Sequence, residues 1–562
     1  MNDKIKPKII SCMKNYTGAQ FAKDVVAGVI VAIIALPLSI ALALASGVDP
    51  QVGIYTAIVA GFLISLFGGS RVQIAGPTAA FASIVAGIVL TDGPDALIVA
   101  TIMAGILLVL MGLFRFGSLI KYIPCTITTG FTSGIAVTIV IGQVKDFLGL
   151  TFESPSRDLV ETKDKVAEIV RCIGSINYTA LLVGLLALAI LIVWPKINKI
   201  VPGSLIAVLV TAAVVKLADL DCNTIGSLFS ISSKLPTPKI PTFSLDMVQA
   251  QIPNAVTIAV LAAIESLLSC VVADGMIGSR HSSNTELVAQ GIGNIGSALF
   301  GGIPATGAIA RTAANIRNGG RTPIAGIVHA IVLGLILVLL MPYAKLIPMP
   351  CIAAILFMVA YNMSEWRKFV NMVKTSPKSD ILVLVVTFVL TVVFDLVVAI
   401  GVGMVLAAVL FMKRMADVTE VHGWKYIEDE DVTDKDALEL KVVPKNTNVF
   451  EIIGPMFFGA ADKFMDIVRE TNEDVVVLRM RTVPALDATA YQTLNNIYQV
   501  CKKNNITLVL SHVNEQPMHV LQKSGFVSLI GKENICANID EALKRAEEIV
   551  TKKTAKTNAQ ES

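Results

Sequence analysis

Two glycine- and proline-rich stretches inside apolar sequence hold the residues with most chemistry to offer. The first reads QIAGPTAAFASI (73–84) and the second GGIPATGAIART (301–312), which carries Arg311. A charge at the centre of a membrane-crossing helix costs roughly 2.5–3.5 kcal/mol even on lenient scales. Arg311 therefore needs a counter-charge, from a protein carboxylate or from a bound anion. Proline is best tolerated in the first turn of a helix, so each stretch reads as a chain that crosses partway extended and then turns helical. A helix start presents unpaired N–H groups and about half a positive charge. In lipid such donors must line a cavity, and their natural occupant is an anion.

AVLAAIESLLSCVVAD (259–274) carries a second intramembrane charge, Glu265, with no cation in its own segment. Such a carboxyl is suited to bind and release a proton, or to help hold Na⁺ with Ser266 and Ser269 as further oxygen ligands. The plainer alternatives are a carboxylate tied to backbone donors or paired with Arg311. Asp395 and His329 are also intramembrane, and their polarity is expected to be met at a boundary or by packing. The run GIGNIG (291–296) follows no strand and opens no βαβ unit, so it is not a dinucleotide fingerprint. No Ser/His/Asp arrangement, phosphate loop or metal cluster stands out. The chain reads as a carrier driven by ion or substrate gradients, with no cofactor, no metal, no enzymatic activity and no nucleic-acid partner.

The elements that must position these groups follow from composition. The chain has 562 residues, 54% of them apolar and only 16% charged, against about a quarter charged in soluble proteins. About fourteen apolar segments recur, several too short to cross a bilayer alone, where roughly 20 residues are needed. Their centres fall near Ala35, Ala60, Ser83, Leu107, Ala136, Leu186, Leu209, Ala262, Gly293, Ile309, Leu335, Leu356, Phe388 and Met404. The two broken stretches are the third and the tenth. Broken helices in matching positions of two halves are the mark of an inverted repeat, here seven plus seven spans. With a cytoplasmic N-terminus, short inner loops hold Arg71, Arg115, Arg280, Arg317, Arg321, Arg367, Lys368 and Lys374, while TDGPD (91–95) outside is acidic. Cation bias toward the inside then puts both termini in the cytoplasm.

The expected layout is a polar N-terminal segment (1–22), a transmembrane domain (23–415), a linker (416–436), a soluble α/β domain (437–552) and a disordered tail (553–562). In the soluble part, strand-like runs 449–459, 475–480 and 507–511 alternate with helical runs 491–500 and 539–550, the pattern of a small sheet covered by helices. The net charge of +3 mixes two environments and identifies no partner. The eight cysteines are single and read as reduced thiols. Cys172 and Cys222 are the pair whose placement in outer loops would allow a disulfide.

Longer motifs give a family likeness. LPLSIALALASGVDPQVGIYTA (36–57), GGSRVQIAGPTAAF (68–81) and the block AIESLLSC…TAANIR (263–317) resemble the SulP family of anion transporters, relatives of sulfate permeases, prestin and pendrin. The C-terminal motifs GPMFFGAADKF (454–464) and ALDATAYQTL (485–494) resemble a STAS domain. The resemblance implies a nucleobase-carrier-like fold of core and gate domains, an elevator-like transport movement, a homodimer and a bacterial inner-membrane location. It implies a substrate pocket formed by Leu38, Leu42, Thr78, Ala79, Ala308, Ile309, Ala310 and Arg311, with Glu265 and Ser269 as the ion-coupling residues for H⁺, or alternatively Na⁺. Within the family, YNMSEWRKF (361–369) and the NTEL segment look most like bacterial C4-dicarboxylate carriers, so proton-coupled uptake of succinate or fumarate is expected, with sulfate or bicarbonate as the alternative. An anion sensor or channel signalling through the tail is the remaining expectation. Where phosphorylated relatives of the tail carry a serine after an aspartate, this chain has Ala488 after Asp487, which favours a structural or partner-binding role.

Overall fold

The computed structural model describes residues 5–14, 16–118, 123–154, 161–198, 201–229, 231–238, 244–394, 396–424, 443–460, 463–464 and 473–561. Asp395, one of the intramembrane candidates, lies outside them. The chain divides into two units, Met1–Met404 and Val405–Ser562.

The apolar helices are α1 (Gly18–Ala45), α2 (Pro50–Phe67), α3 (Ala82–Thr91), α4 (Pro94–Leu113), α5 (Cys125–Leu148), α6 (Tyr178–Ile197), α7 (Gly203–Leu217), α8 (Leu245–Ile277), α9 (Ser283–Leu299), α10 (Ile309–Arg317), α11 (Ile324–Ala344), α12 (Met349–Ser364), α13 (Lys378–Val393) and α14 (Leu396–Val418). Every centre expected from the sequence lies in one of them. Among the described residues, nine spans are long and apolar enough to cross a membrane. The helices α3, α7, α9, α10 and α13 are shorter, and α12, itself 16 residues, reaches that length only with the helix Trp366–Thr375 that follows it. Their ends carry the expected signals. Thr17 and Asn177 cap α1 and α6 by accepting from first-turn amides, proline opens α2 and α4, and left-handed Gly149 and Gly278 close α5 and α8.

Packing repeats with an offset of seven helices. α2 packs on α11 as α9 packs on α4, α1 packs on α11 as α8 packs on α4, and α5 packs on α13 as α12 packs on α6. The pairs α2–α9 and α5–α12 map onto themselves. This is the two-fold pattern of an inverted repeat. It separates a core of α1–α4 and α8–α11 from a second group containing α5–α7, α12 and α13.

At the centre of the core, the broken third and tenth segments pair with each other. β1 (Ala75–Gly76) runs antiparallel to β2 (Thr306–Gly307), with Ala75 opposite Gly307 and Gly76 opposite Thr306. Because the strands are antiparallel, the helices that follow leave in opposite directions. The prolines sit differently from the sequence expectation. Pro77 and Pro304 lie in extended chain, not in a first helical turn: a 3₁₀ turn at Ala79–Phe81 leads into α3, and α10 begins after Ala308. The fixed φ of proline fits extended backbone as well as a helix start, so sequence alone does not separate the two.

The glycine run 291–296 has a packing role. A Cβ at Gly105 on α4 would fall 2.8 Å from the carbonyl oxygen of Gly291 on α9, and one at Gly293 would meet Ile64 of α2 at 2.5 Å. Glycine lets α9 lie close between α2 and α4. Cys172 and Cys222 are free thiols, directed at Glu168 and at the Asn223 carbonyl.

The second unit contains a five-stranded sheet in the order β3 (Glu420–Trp424), β4 (Thr447–Ile453), β5 (Val475–Thr482), β6 (Thr507–Ser511) and β7 (Ile535–Cys536), antiparallel at β3–β4 and parallel elsewhere. Alternation along β5 sends Val475 and Val477 toward helix α17 (Ile539–Glu561), and Val476, Leu478 and Met480 toward α15 (Ala488–Lys503) and α16 (Glu515–Lys523). Two boundaries differ from the sequence expectation. β3 falls inside the segment read as a linker, whose residues 425–436 lie outside the described residues. The last helix continues to Glu561, past the boundary set at 552, in a run of Lys, Ala, Gln and Glu that favours helix.

Overpacking of this kind costs about 1–3 kcal/mol or more. Gly291→Leu is expected to lower the thermal unfolding midpoint and the monodisperse yield of purified protein. Gly275→Leu, where a Cβ meets nothing within 4 Å, should leave both unchanged, and an equal loss in the two variants would contradict the packing account.

Candidate anion-binding site

Breaking two helices in hydrocarbon frees backbone donors and acceptors, each expensive to leave unpaired. Two sets of bonds satisfy them. The first is the β1–β2 pair, extended by Ala308 N–H donating to the Ile74 carbonyl at 2.9 Å. The second is a polar stripe on α9, where Glu286, Gln290 and Asn294 recur every fourth residue and so share one face. Glu286 is fully buried. One of its carboxylate oxygens accepts from Gly69 N–H (2.8 Å) and Ser70 N–H (3.1 Å), the other from the side chains of Gln73 (3.0 Å) and Gln290 (2.9 Å). Asn294 clasps Ala305, donating to its carbonyl and accepting from its N–H, both at 2.8 Å. Thr56 Oγ1 of α2 accepts from Ile303 N–H at 2.8 Å, and Ser297 Oγ donates to the Ile303 carbonyl at 2.7 Å.

The half-helices end in open amides. Neither Thr78 nor Ala308, the residues preceding the two starts, makes a side-chain cap bond. Thr78 and Ala308 are half-buried, Ala79 is buried, and Ile309 and Ala310 are exposed. The first-turn N–H groups around Ala79–Ala80 and Ile309–Arg311 therefore present positive partial charge at the two half-helix starts, of which the second, at Ile309–Ala310, is exposed.

Arg311 lies buried between the two segments, 3% exposed. Its Nη2 donates to the Pro77 carbonyl at 3.1 Å, and its Nη1 has no hydrogen-bond partner. Gly76 makes this reach feasible, since a Cβ there would stand 2.5 Å from Nη1. The alternative in which Glu265 pairs with Arg311 is not met. Glu265, half-buried on α8, accepts instead from the Thr78 hydroxyl at 2.9 Å. This bond joins α8 to the start of the third segment, and Arg311 has no protein carboxylate partner among the described residues.

The other expected residues fall as follows. Ser269 Oγ donates to Thr312 Oγ1 at 3.4 Å, and Thr312 Oγ1 accepts from Ile74 N–H at 3.0 Å, so Ser269 braces the crossing. Ser266 turns to the Ala263 carbonyl of its own helix. Leu38 and Leu42 lie one turn apart on α1, which packs against α10 and α3. His329 is fully buried on α11, with both ring nitrogens unpartnered. Two anchors escaped the sequence reading. Asn315 donates to the Val72 carbonyl at 2.8 Å. Asp24, buried near the start of α1, accepts from Tyr16, Gln20, Arg321 N–H and Thr322, the last at 2.6 Å. With Arg321 donating to the Ile316 and Gly320 carbonyls at 2.8 Å, this ties down the far end of α10.

Comparison with known proteins bears on the family and the fold. The pattern of the Sulfate permease family matches residues 21–387 and that of the STAS domain residues 439–542. The chain is 40% identical over 533 residues to a putative sulfate transporter, YvdB, of Bacillus subtilis, covering 94% of this chain and 98% of that one. It is 30% identical over 541 residues to the bicarbonate transporter BicA of Synechocystis, covering 93% and 94%. Its fold matches the murine anion transporter Slc26a9 in an inward-facing state with a TM-score of 0.85 at 18% identity, covering 96% and 94%.

Gly76→Ala is expected to displace the Arg311 guanidinium while sparing the remaining anchors. The anion concentration that protects purified protein against thermal unfolding should rise roughly tenfold, about 1.4 kcal/mol. Gly142→Ala, where a Cβ meets nothing within 4 Å, serves as control, and unchanged protection in Gly76→Ala would contradict the placement of Arg311.

Proposed function

The chain belongs to the sulfate permease family, and from that premise we propose that it is a secondary active carrier of small oxyanions of the sulfate or bicarbonate kind, coupled to protons through Glu265. The observation that carries this reading is the separation of the two intramembrane charges. Arg311 is bonded to a backbone carbonyl and Glu265 to a threonine hydroxyl. Each charge thus keeps its demand for a mobile partner. An anion between the half-helix starts supplies the counter-charge for Arg311. A proton on Glu265 removes the negative charge beside that anion, so protonation and anion binding favour each other, which is the condition for symport.

The eight-helix core carries both half-helices, Glu265 and Arg311 as one packed body. Movement of that body against the group containing α5–α7, α12 and α13 would carry the site across the membrane in an elevator fashion. Leu38 and Leu42 favour a second reading, a C4-dicarboxylate such as succinate, whose methylene groups suit an apolar wall. Na⁺ in place of H⁺ would use the carboxylate of Glu265 with the adjacent Thr78 hydroxyl, since Ser266 and Ser269 are fully buried.

Reconstituted vesicles separate these readings. Uptake of labelled sulfate, bicarbonate and succinate is measured under separately imposed H⁺ and Na⁺ gradients. The proposal expects sulfate or bicarbonate uptake to rise with an inward H⁺ gradient alone. In Glu265→Gln that response should vanish while exchange of anion for anion persists. Stimulation by Na⁺ alone, or a full H⁺ response in Glu265→Gln, would overturn proton coupling through this residue. Uptake confined to succinate would transfer the assignment to the dicarboxylate reading.

A further inference from the structure

The helix Trp366–Thr375, WRKFVNMVKT, follows α12 as a separate helix. Glu365 adopts left-handed backbone with φ of 42° and turns the chain sharply at its start, and Pro377 precedes α13 at its end. Its residues segregate by face. Trp366, Phe369, Val370 and Val373 fall at the i, i+3, i+4, i+7 spacing of one apolar stripe, while Arg367, Lys368 and Lys374 lie off it, with no acidic residue inside the helix.

The helix is fixed at two points. Ser133 of α5 donates to the Ser364 carbonyl at 2.7 Å, and Phe369 meets Phe388 of α13 edge-on at 5.4 Å. The rest of the stripe finds no such cover: Trp366 is 47% exposed, Val370 40% and Val373 38%. The Arg367 guanidinium lies over the Trp366 ring at 5.5 Å, and Lys368 pairs with Glu365 at 2.9 Å. Lys374 in the last turn, followed by Lys378, leaves the helix strongly cationic.

We propose that this helix lies in the plane of the membrane interface and selects anionic lipid headgroups. An apolar stripe beside membrane spans sinks into the acyl boundary, and the basic residues at its margins meet headgroup phosphates. Its anchorage on α5 and α13 makes the contact part of the folded carrier, where a free tail would offer only diffuse attraction. The cationic composition selects anionic over zwitterionic lipid, and no protein occupant is needed to cover the stripe.

Trp366 is itself the probe. In full-length protein carrying Trp194→Phe and Trp424→Phe, Trp366 is the remaining tryptophan. The protein is reconstituted into phosphatidylcholine vesicles containing equal mole fractions of either brominated phosphatidylcholine or brominated phosphatidylglycerol. Both lipids should quench Trp366 fluorescence. Brominated phosphatidylglycerol should quench as though enriched roughly fivefold, the factor for one net charge near an anionic surface. The preference should shrink in high salt and disappear in Arg367→Gln/Lys374→Gln, while quenching by the zwitterionic lipid survives. Absence of quenching by both lipids would overturn the placement. Equal quenching in the parent protein, or a preference that survives the double substitution, would overturn the selectivity. The salt titration on the parent protein decides the matter if the variant fails to reconstitute, and none of these outcomes depends on which anion is carried.

Discussion

The structure depends on one constraint: a backbone broken inside hydrocarbon must find partners for its N–H and C=O groups. Here the two broken segments are each other's first partners, through β1 and β2, and the stripe Glu286–Gln290–Asn294 of α9 supplies the next. Glu286 alone collects two backbone amides and two side-chain amides. A buried carboxylate is costly unless its oxygens are satisfied, so this residue is compatible with the membrane interior because the non-helical chain at 69–73 turns two free amides and the Gln73 side chain to it. The break and the stripe require each other.

Chemistry appears where that satisfaction stops. Both arms are clasped at several points before the half-helix starts, and beyond them the first-turn amides lack side-chain caps. Arg311 adds a full charge, held by the Pro77 carbonyl and given space by Gly76. Glu265 reaches the next residue of the third segment through the Thr78 hydroxyl. The same geometry that stabilises the fold thus leaves a cluster of donors and two unpaired charges at a single crossing. The soluble unit is a separate solution, a parallel sheet with a helical layer on each face and one antiparallel edge strand.

Much of this was legible in the sequence because it rests on patterns of hydrophobicity and on glycine and proline. The centres of the membrane helices, the broken third and tenth segments and the α/β tail all follow from those patterns. The place of the prolines was not legible, since one φ value serves extended chain and helix start alike. The stripe on α9 was visible at a spacing of four residues, yet its meaning required knowing which loops it faces. Asp24 and Asn315 act on chain hundreds of residues away, beyond any local signal. β3 escaped because a five-residue edge strand containing Glu420 and His422 has little apolar periodicity. The bond from Ser269 to Thr312 joins residues 43 positions apart, so it had no local signal either.

The most direct examination of the account is a density map of the full-length protein in a lipid disc, with and without a saturating concentration of the anion that vesicles prove to transport. The account places added density between the two half-helix starts, within hydrogen-bonding reach of the amides near Ala79 and Ile309 and of Arg311 Nη1, while β1 and β2 remain paired. Anion density at any other place in the core, with that crossing unchanged, would contradict it.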